Sequence, residues 1–191
     1  MFTLRTLRLV CLLAVSGLAI GSCINPPDYP NTPEIEFKSI SKQRLDNRFG
    51  LYDTVTININ YKDGDGDLGL RQADTLPPFN YYRRQAGKTP KINFDAYNYL
   101  CKLQIEKNGV FKDYINPNDS IGLNGRYPRL TPEEQGDRAA PLKGSISYGL
   151  VVFKGSPPEI QTGTVIRYRI SIRDRALRTS NEIFTDPVRI E

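Results

Sequence analysis

The feature that most restricts the fold of this chain is a strict alternation of side chains that ends in an acidic, glycine-rich run. From residue 54 to residue 61, apolar or aromatic side chains alternate with Thr and Asn. A period of two predicts a half-buried β-strand. The strand is followed by residues 63–69, Asp-Gly-Asp-Gly-Asp-Leu-Gly, in which three aspartates stand at every second position. Any fold must therefore place three carboxylates at the end of one strand.

Two interpretations of this acidic run remain open. Three carboxylates so close together repel one another unless they face water or converge on a cation, and Ca²⁺ prefers carboxylate oxygens as ligands. The first interpretation is a Ca²⁺ site built from Asp63, Asp65 and Asp67. Asp174 or a backbone carbonyl would complete its oxygen shell. The second is a plain soluble turn, because both Asp and Gly favour turns.

The spacing of the acidic run partly resembles an EF-hand loop. The three aspartates match the first, third and fifth positions of that loop, and Asp74 falls at the twelfth, where the family usually has Glu. The chain departs from the family at Leu68, which occupies the position that needs glycine. A strand rather than a helix also precedes the run.

Alternation elsewhere in the chain predicts about seven strands and almost no helix. Besides the strand described above, we expect strands at about 34–41, 97–105, 110–115, 143–153 and 166–173, and a last one that runs through Ile190. Residues 42–53 are predicted to form a turn. Asn108-Gly109 predicts a hairpin between the third and fourth strands. Segments at about 70–95 and 116–141 are predicted to be long loops, the second without a core.

These elements predict an all-β domain over residues 34–191, an antiparallel immunoglobulin-like β-sandwich. In that topology the loops after the second and sixth strands lie at the same end. We therefore expect the aspartate run to approach Asp174.

The N-terminus has the pattern of an export signal over residues 1–22. Arg5 and Arg8 precede an apolar stretch, residues 9–20, that is too short to span a bilayer. The residues Ile20-Gly21-Ser22-Cys23 resemble the lipobox of bacterial lipoproteins, in which the cysteine is lipidated and becomes the first residue of the mature chain. The alternative is an ordinary signal peptide that contains a cysteine. We expect lipidation at Cys23, a proline-rich tether over residues 23–33, and attachment to a membrane through the lipid.

The composition excludes several classes of function. The chain has no histidine, which excludes Ser-His-Asp and Cys-His catalysis and His-ligated zinc. Its net charge falls from +5 to +3 when Arg5 and Arg8 leave with the signal, and this is too mild to indicate nucleic-acid binding. Apart from the lipidated cysteine, the mature chain keeps only Cys101, so it has no intramolecular disulfide. We expect Cys101 to be a small buried hydrophobe.

A second candidate site lies in the first long loop. Exposed aromatic side chains beside polar groups stack on sugar rings or anchor protein partners. Tyr81, Tyr82 and Arg83 are therefore candidate ligand-binding residues. The alternative is that residues 79–82 pack the loop against the domain, while Tyr97 and Tyr99 belong to the core.

Three parts of the chain together resemble uncharacterised outer-membrane lipoproteins of the Bacteroidota. They are the lipobox, the strand with its acidic run, and residues 168–181, Tyr-Arg-Ile-Ser-Ile-Arg-Asp-Arg-Ala-Leu-Arg-Thr-Ser-Asn. The resemblance covers roughly a third of the chain. It implies attachment to the outer membrane, on the periplasmic or the cell-surface side, and an accessory role in envelope assembly or glycan capture.

We therefore expect a non-enzymatic, lipid-anchored envelope protein that acts as a binding or assembly module for a protein partner and is stabilised by Ca²⁺. The alternative is a glycan-binding accessory lipoprotein of a nutrient-uptake system. A carboxylate-based glycosidase is a third class, and it needs two acids that face each other across a cleft. Carboxylate oxygens that converge at the end of the sandwich would argue against it.

Overall fold

The computed structural model describes residues 27–47, 50–132, 135–136 and 138–191. The predicted export signal and Cys23 lie outside these ranges. The described chain forms ten strands and a 3-10 turn at Phe94–Ala96. The strands are β1 (Glu34–Asn47), β2 (Gly50–Asp63), β3 (Tyr82–Arg83), β4 (Lys91–Ile92), β5 (Tyr99–Lys107), β6 (Val110–Asp113), β7 (Leu142–Phe153), β8 (Val165–Ile172), β9 (Ile183–Phe184) and β10 (Val188–Arg189). Within the same ranges, no helix has the length and apolar character needed to cross a membrane.

The strands form two main antiparallel sheets. The first has the order β1-β2-β7, and the second has the order β10-β8-β5-β6, with β9 also paired to β8. A small hairpin joins β3 to β4. Inward-facing side chains of both sheets build one core, including Val55, Ile57, Ile59 and Ile146 from the first sheet and Tyr99, Cys101, Ile166, Tyr168 and Ile170 from the second. The all-β, antiparallel prediction is confirmed, and the shared core is consistent with a β-sandwich.

The prediction of a turn over residues 42–53 is wrong, because β1 and β2 continue through most of it as a long hairpin. Lys42 pairs with Val55 and Arg44 pairs with Asp53 along the ladder. Asp53 is buried, and the side chains of Lys42 and Arg44 approach its carboxylate at 3.9 and 3.3 Å. Polar residues that suggested a turn are instead cross-strand ion pairs, which stabilise the extended chain.

The two segments predicted as long loops are more structured than their composition indicated. The first contains the β3–β4 hairpin. The second does contribute to the core, contrary to our expectation, because Tyr127 is only 3% exposed. The side chain of Asn98 holds it there: its amide nitrogen donates to the Tyr127 carbonyl at 3.1 Å, and its oxygen accepts from the Tyr127 N–H at 2.8 Å. This side-chain amide, together with isolated backbone hydrogen bonds such as those between Tyr99 and Gly125, holds the segment without a regular strand ladder.

The last residues of the predicted tether contact the domain directly. The carbonyl of Pro30 accepts a hydrogen bond from the N–H of Gly64 at 2.8 Å. The tether therefore enters the domain beside the acidic run.

Cys101 confirms its prediction. Its side chain is 2% exposed, and burial raises the pKa of the thiol to about 12. A thiol in this environment packs as an apolar group and is chemically inert.

Candidate metal centre

The loop after β2 and the turn after β8 meet at one end of the two sheets. Leu68 forms an antiparallel bridge with Asp174, and the N–H of Ala176 donates to the Asp67 carboxylate at 3.1 Å. One oxygen from each of Asp63, Asp67 and Asp174 lies within 4.8 Å of the other two. The predicted approach to Asp174 is therefore confirmed for Asp63 and Asp67. Asp65 lies outside this convergent group and is linked to Asp174 through the side chain of Arg178. We call Asp63, Asp65, Asp67 and Asp174 the acidic cluster.

Glycines in the run allow its backbone to lie against other segments. Gly66 has a φ of +68°, and a Cβ there would stand 2.3 Å from the carbonyl oxygen of Ala140. Gly69 has a φ of +90°, and a Cβ there would stand 2.1 Å from the carbonyl oxygen of Pro128. Both positions need a left-handed conformation and the absence of a side chain. The glycines therefore serve close packing as well as a turn.

Arg178 is the one cation that contacts the acidic cluster within the described residues. Its Nε donates to Asp174 at 2.6 Å and its Nη2 donates to Asp65 at 2.5 Å, while Asp67 lies 3.5 Å from Nη2. The backbone N–H of Arg178 also donates to the Asp174 carboxylate, at 2.7 Å. One guanidinium thus contacts three of the four carboxylates, so the ionised cluster keeps an excess of negative charge.

Asp63 is the most deeply buried member of the cluster. Its side chain is fully buried; Oδ2 accepts the N–H of Asp67 at 3.0 Å, and Oδ1 has no hydrogen-bond partner among the described residues. Burial, followed by the charges of the other cluster carboxylates, raises the pKa of Asp63 to about 7. Ionisation of this carboxyl group near neutral pH therefore costs more free energy than ionisation of an exposed aspartate.

The other carboxylates of the cluster are also short of partners. The Oδ1 atoms of Asp65 and Asp67 are buried and unpaired within the described chain, as is that of Asp63. Burial, together with Asp174 and Asp65, raises the pKa of Asp67 to about 6. Burial also raises the pKa of Asp174, although Arg178 opposes the shift. Buried acceptors without donors are rare in folded proteins, and a bound cation would satisfy them.

The donor set suits a hard divalent ion. Its atoms are all carboxylate oxygens, and Ca²⁺ takes six to eight oxygen ligands in a flexible geometry. The arrangement is not that of an EF-hand, because Asp74 lies outside the convergent group. Its carboxylate instead accepts hydrogen bonds from the N–H of Arg71 at 2.7 Å and from the Arg175 side chain at 2.5 Å.

The aromatic candidates divide into two groups. Tyr81 and Tyr82 are exposed, at 44% and 52%. Arg83 is engaged, since it donates to Asn93 at 2.8 Å and to Asp95 at 2.5 Å. In contrast Phe79, Tyr97 and Tyr99 are buried, so packing is the right interpretation for those three.

Sequence reasoning missed two residues that shape the cluster. Arg178 stands four positions after Asp174, and that spacing across a turn was the available signal. Tyr127, whose hydroxyl donates to the carbonyl of Arg173 at 3.2 Å, lies in a segment without periodicity and gave no signal.

Comparisons of the chain with models of protein families, with curated proteins and with solved structures find no match.

Proposed function

We propose that the acidic cluster binds Ca²⁺ and that this ion stabilises one end of a binding module. The observation that carries the proposal is the set of three buried Oδ1 atoms, on Asp63, Asp65 and Asp67, that have no hydrogen-bond partner among the described residues and lie next to the convergent oxygen of Asp174. A cation would supply the missing partners and offset the negative charge that Arg178 leaves uncompensated.

The module belongs, in this proposal, to a non-enzymatic, lipid-anchored protein of the outer membrane. The lipobox at Cys23 and the resemblance to Bacteroidota lipoproteins support the anchor. The fold is of the immunoglobulin-like type. The strand orders of the two sheets support this type. The first sheet, β1-β2-β7, corresponds to strands A-B-E of that fold, and the second sheet, β6-β5-β8-β10, corresponds to strands C′-C-F-G. The tether enters beside the acidic run, so Ca²⁺ would hold the end of the domain nearest the lipid.

Burial of the cluster favours binding over glycoside hydrolysis. Asp63 and Asp174 are 0% and 2% exposed, and a glycosidase needs carboxylates that reach a glycosidic bond from two sides. Carboxylates that converge away from the surface suit an ion better than a sugar.

Thermal unfolding with Ca²⁺ and with a chelator tests the proposal. A ligand that binds only the folded state raises its stability by mass action, by about 2.7 kcal/mol at a hundred times Kd. We expect millimolar Ca²⁺ to raise the Tm of the wild-type chain and to leave that of Asp63→Asn unchanged.

Asp95→Asn is the matched control. Asp95 is also a carboxylate held by arginines, Arg83 and Arg173, but it lies outside the cluster. This variant should lose some stability and keep the full Ca²⁺ response. Equal Tm values with Ca²⁺ and with chelator in the wild-type chain would refute the proposed site.

A further inference from the structure

A basic groove lies beside the acidic cluster. Its walls are residues 70–72 and 126–129, Tyr81 closes one side, and its volume is about 580 Å³. Three of its lining residues are arginines, Arg71, Arg126 and Arg129, and no acidic side chain of the described chain lines it. The groove therefore presents positive charge in a concave surface, where low-dielectric walls strengthen the field.

Arg126 is the cation of the groove that would bind an anionic group. Its Nη2 donates to two backbone carbonyls, to that of Asp74 at 3.0 Å and that of Arg71 at 3.4 Å. Its guanidinium lies 5.1 Å from the ring centroid of Tyr81. Within the described chain it forms no ion pair, so its charge is met by dipoles and a ring rather than by a carboxylate. A guanidinium in this state has donors left for an anionic ligand.

The walls of the groove are held in place by hydrogen bonds. The N–H of Leu70 donates to the Tyr127 carbonyl at 3.1 Å, and the N–H of Leu130 donates to the Leu68 carbonyl at 3.1 Å. Tyr127 is itself fixed by Asn98. A groove with fixed walls loses little conformational entropy when a ligand binds.

We infer that this groove binds an acidic sugar through a carboxylate. The Nε and Nη1 donors of Arg126, which form no hydrogen bond among the described residues, are left for a carboxylate, while the exposed ring of Tyr81 and the ring of Pro128 offer apolar faces to the C–H side of a pyranose. The volume lies within the range of small-ligand sites. A folded protein partner needs roughly 800 Å² on each side. The groove is lined by eight described residues, so its small extent favours the smaller ligand.

This inference rests on the proposed binding function, but it does not depend on the cation. It also changes which residues are candidate ligand contacts. Of the three residues singled out in the sequence, only Tyr81 lines the groove.

Titration calorimetry of the full chain, with chelator present throughout, tests the inference. The probes are a three-unit oligomer of glucuronic acid, the matching oligomer of glucose, hexaglutamate and inorganic sulfate. We expect the uronate to bind at least about tenfold more tightly than each other probe, because only it offers both a carboxylate and a sugar ring. Equal affinity for the glucose oligomer, or tighter binding of hexaglutamate or sulfate, would overturn the inference, as would no uronate binding at millimolar concentration.

Variants locate the site. Arg126→Gln should weaken uronate binding by about tenfold or more, and Tyr81→Ala, which alters an exposed side chain, should weaken it as well. The control is Arg83→Gln, because Arg83 is paired with Asp95 outside the groove. Equal losses in Arg83→Gln and Arg126→Gln would refute this location.

Failure of this inference can be distinguished from failure of the Ca²⁺ site. Uronate binding in chelator, together with no Ca²⁺ effect on Tm, would refute the Ca²⁺ site and support the uronate-binding groove. A Ca²⁺ effect on Tm without uronate binding would support the Ca²⁺ site and refute the uronate-binding groove.

Discussion

Replacing Asp63 with asparagine tests the electrostatics of the acidic cluster in the absence of metal. The side chain is fully buried, and the groups that face it are Asp65, Asp67, Asp174 and the hydroxyl of Tyr127. Asparagine has nearly the same shape but no charge and no titration. The variant therefore removes one ionisable group and leaves the packing almost unchanged.

The expected magnitude follows from the pKa. A value raised from 3.8 to about 7 corresponds to about 4 kcal/mol in favour of the protonated carboxyl in the folded state. That contribution is fully present below pH 3.8 and is lost as the pH rises through 7. Between pH 5 and pH 8 the wild-type chain should lose about 3 kcal/mol relative to Asp63→Asn.

Urea unfolding at pH 5 and at pH 8, with chelator in every sample, measures this difference. Asp113→Asn is the control. Burial alone would raise the pKa of Asp113, but hydrogen bonds from Gln104 and Arg169 lower it, so nothing at that site titrates between pH 5 and 8. The Asp113→Asn difference should stay constant. A constant difference for Asp63→Asn would refute the electrostatic reasoning.

Three further predictions concern the same end of the domain and the core. Gly66→Ala should destabilise the chain by about 2 kcal/mol in urea unfolding, because a Cβ would stand 2.3 Å from the Ala140 oxygen. The control is Gly87→Ala, at a similar φ of +72° but with open space around it, which should cost only about 1 kcal/mol. Arg178→Met should lower the free energy of unfolding by about 3 kcal/mol in chelator, since it leaves Asp65 and Asp174 without their guanidinium. Ca²⁺ should restore part of this stability, and an equal loss with and without Ca²⁺ would contradict the prediction. In a chain whose other cysteines are replaced by serine, Cys101 should react with a thiol reagent only when the chain unfolds. Fast reaction of the native chain would contradict the burial of Cys101.

Period-two patterns predicted the parts of the fold where one face of a strand is buried. Residues 54–61 and 166–172 were assigned correctly because their apolar side chains point into a single core. The hairpin extension through residues 42–53 was missed because its stability comes from Lys42, Arg44 and Asp53, and polar residues in that order resemble a turn.

The candidate site was predictable where topology decides the geometry. The approach of Asp174 to the aspartate run followed from strand order, since loops at one end of a sandwich meet. Tyr127 and Arg126 were not predictable, because side-chain hydrogen bonds to Asn98 and backbone carbonyls fix their segment. Such contacts leave no periodic signal in a sequence.

Titration calorimetry of Ca²⁺ into the full chain at pH 7, in two buffers of different ionisation enthalpy, is the sharpest test of the Ca²⁺ site. We expect saturable binding at a single site with release of protons, because the pKa of Asp63 is about 7 and a cation favours its ionised form. Asp63→Asn should abolish both binding and proton release. No saturable binding at millimolar Ca²⁺, or unchanged binding by Asp63→Asn, would contradict the account.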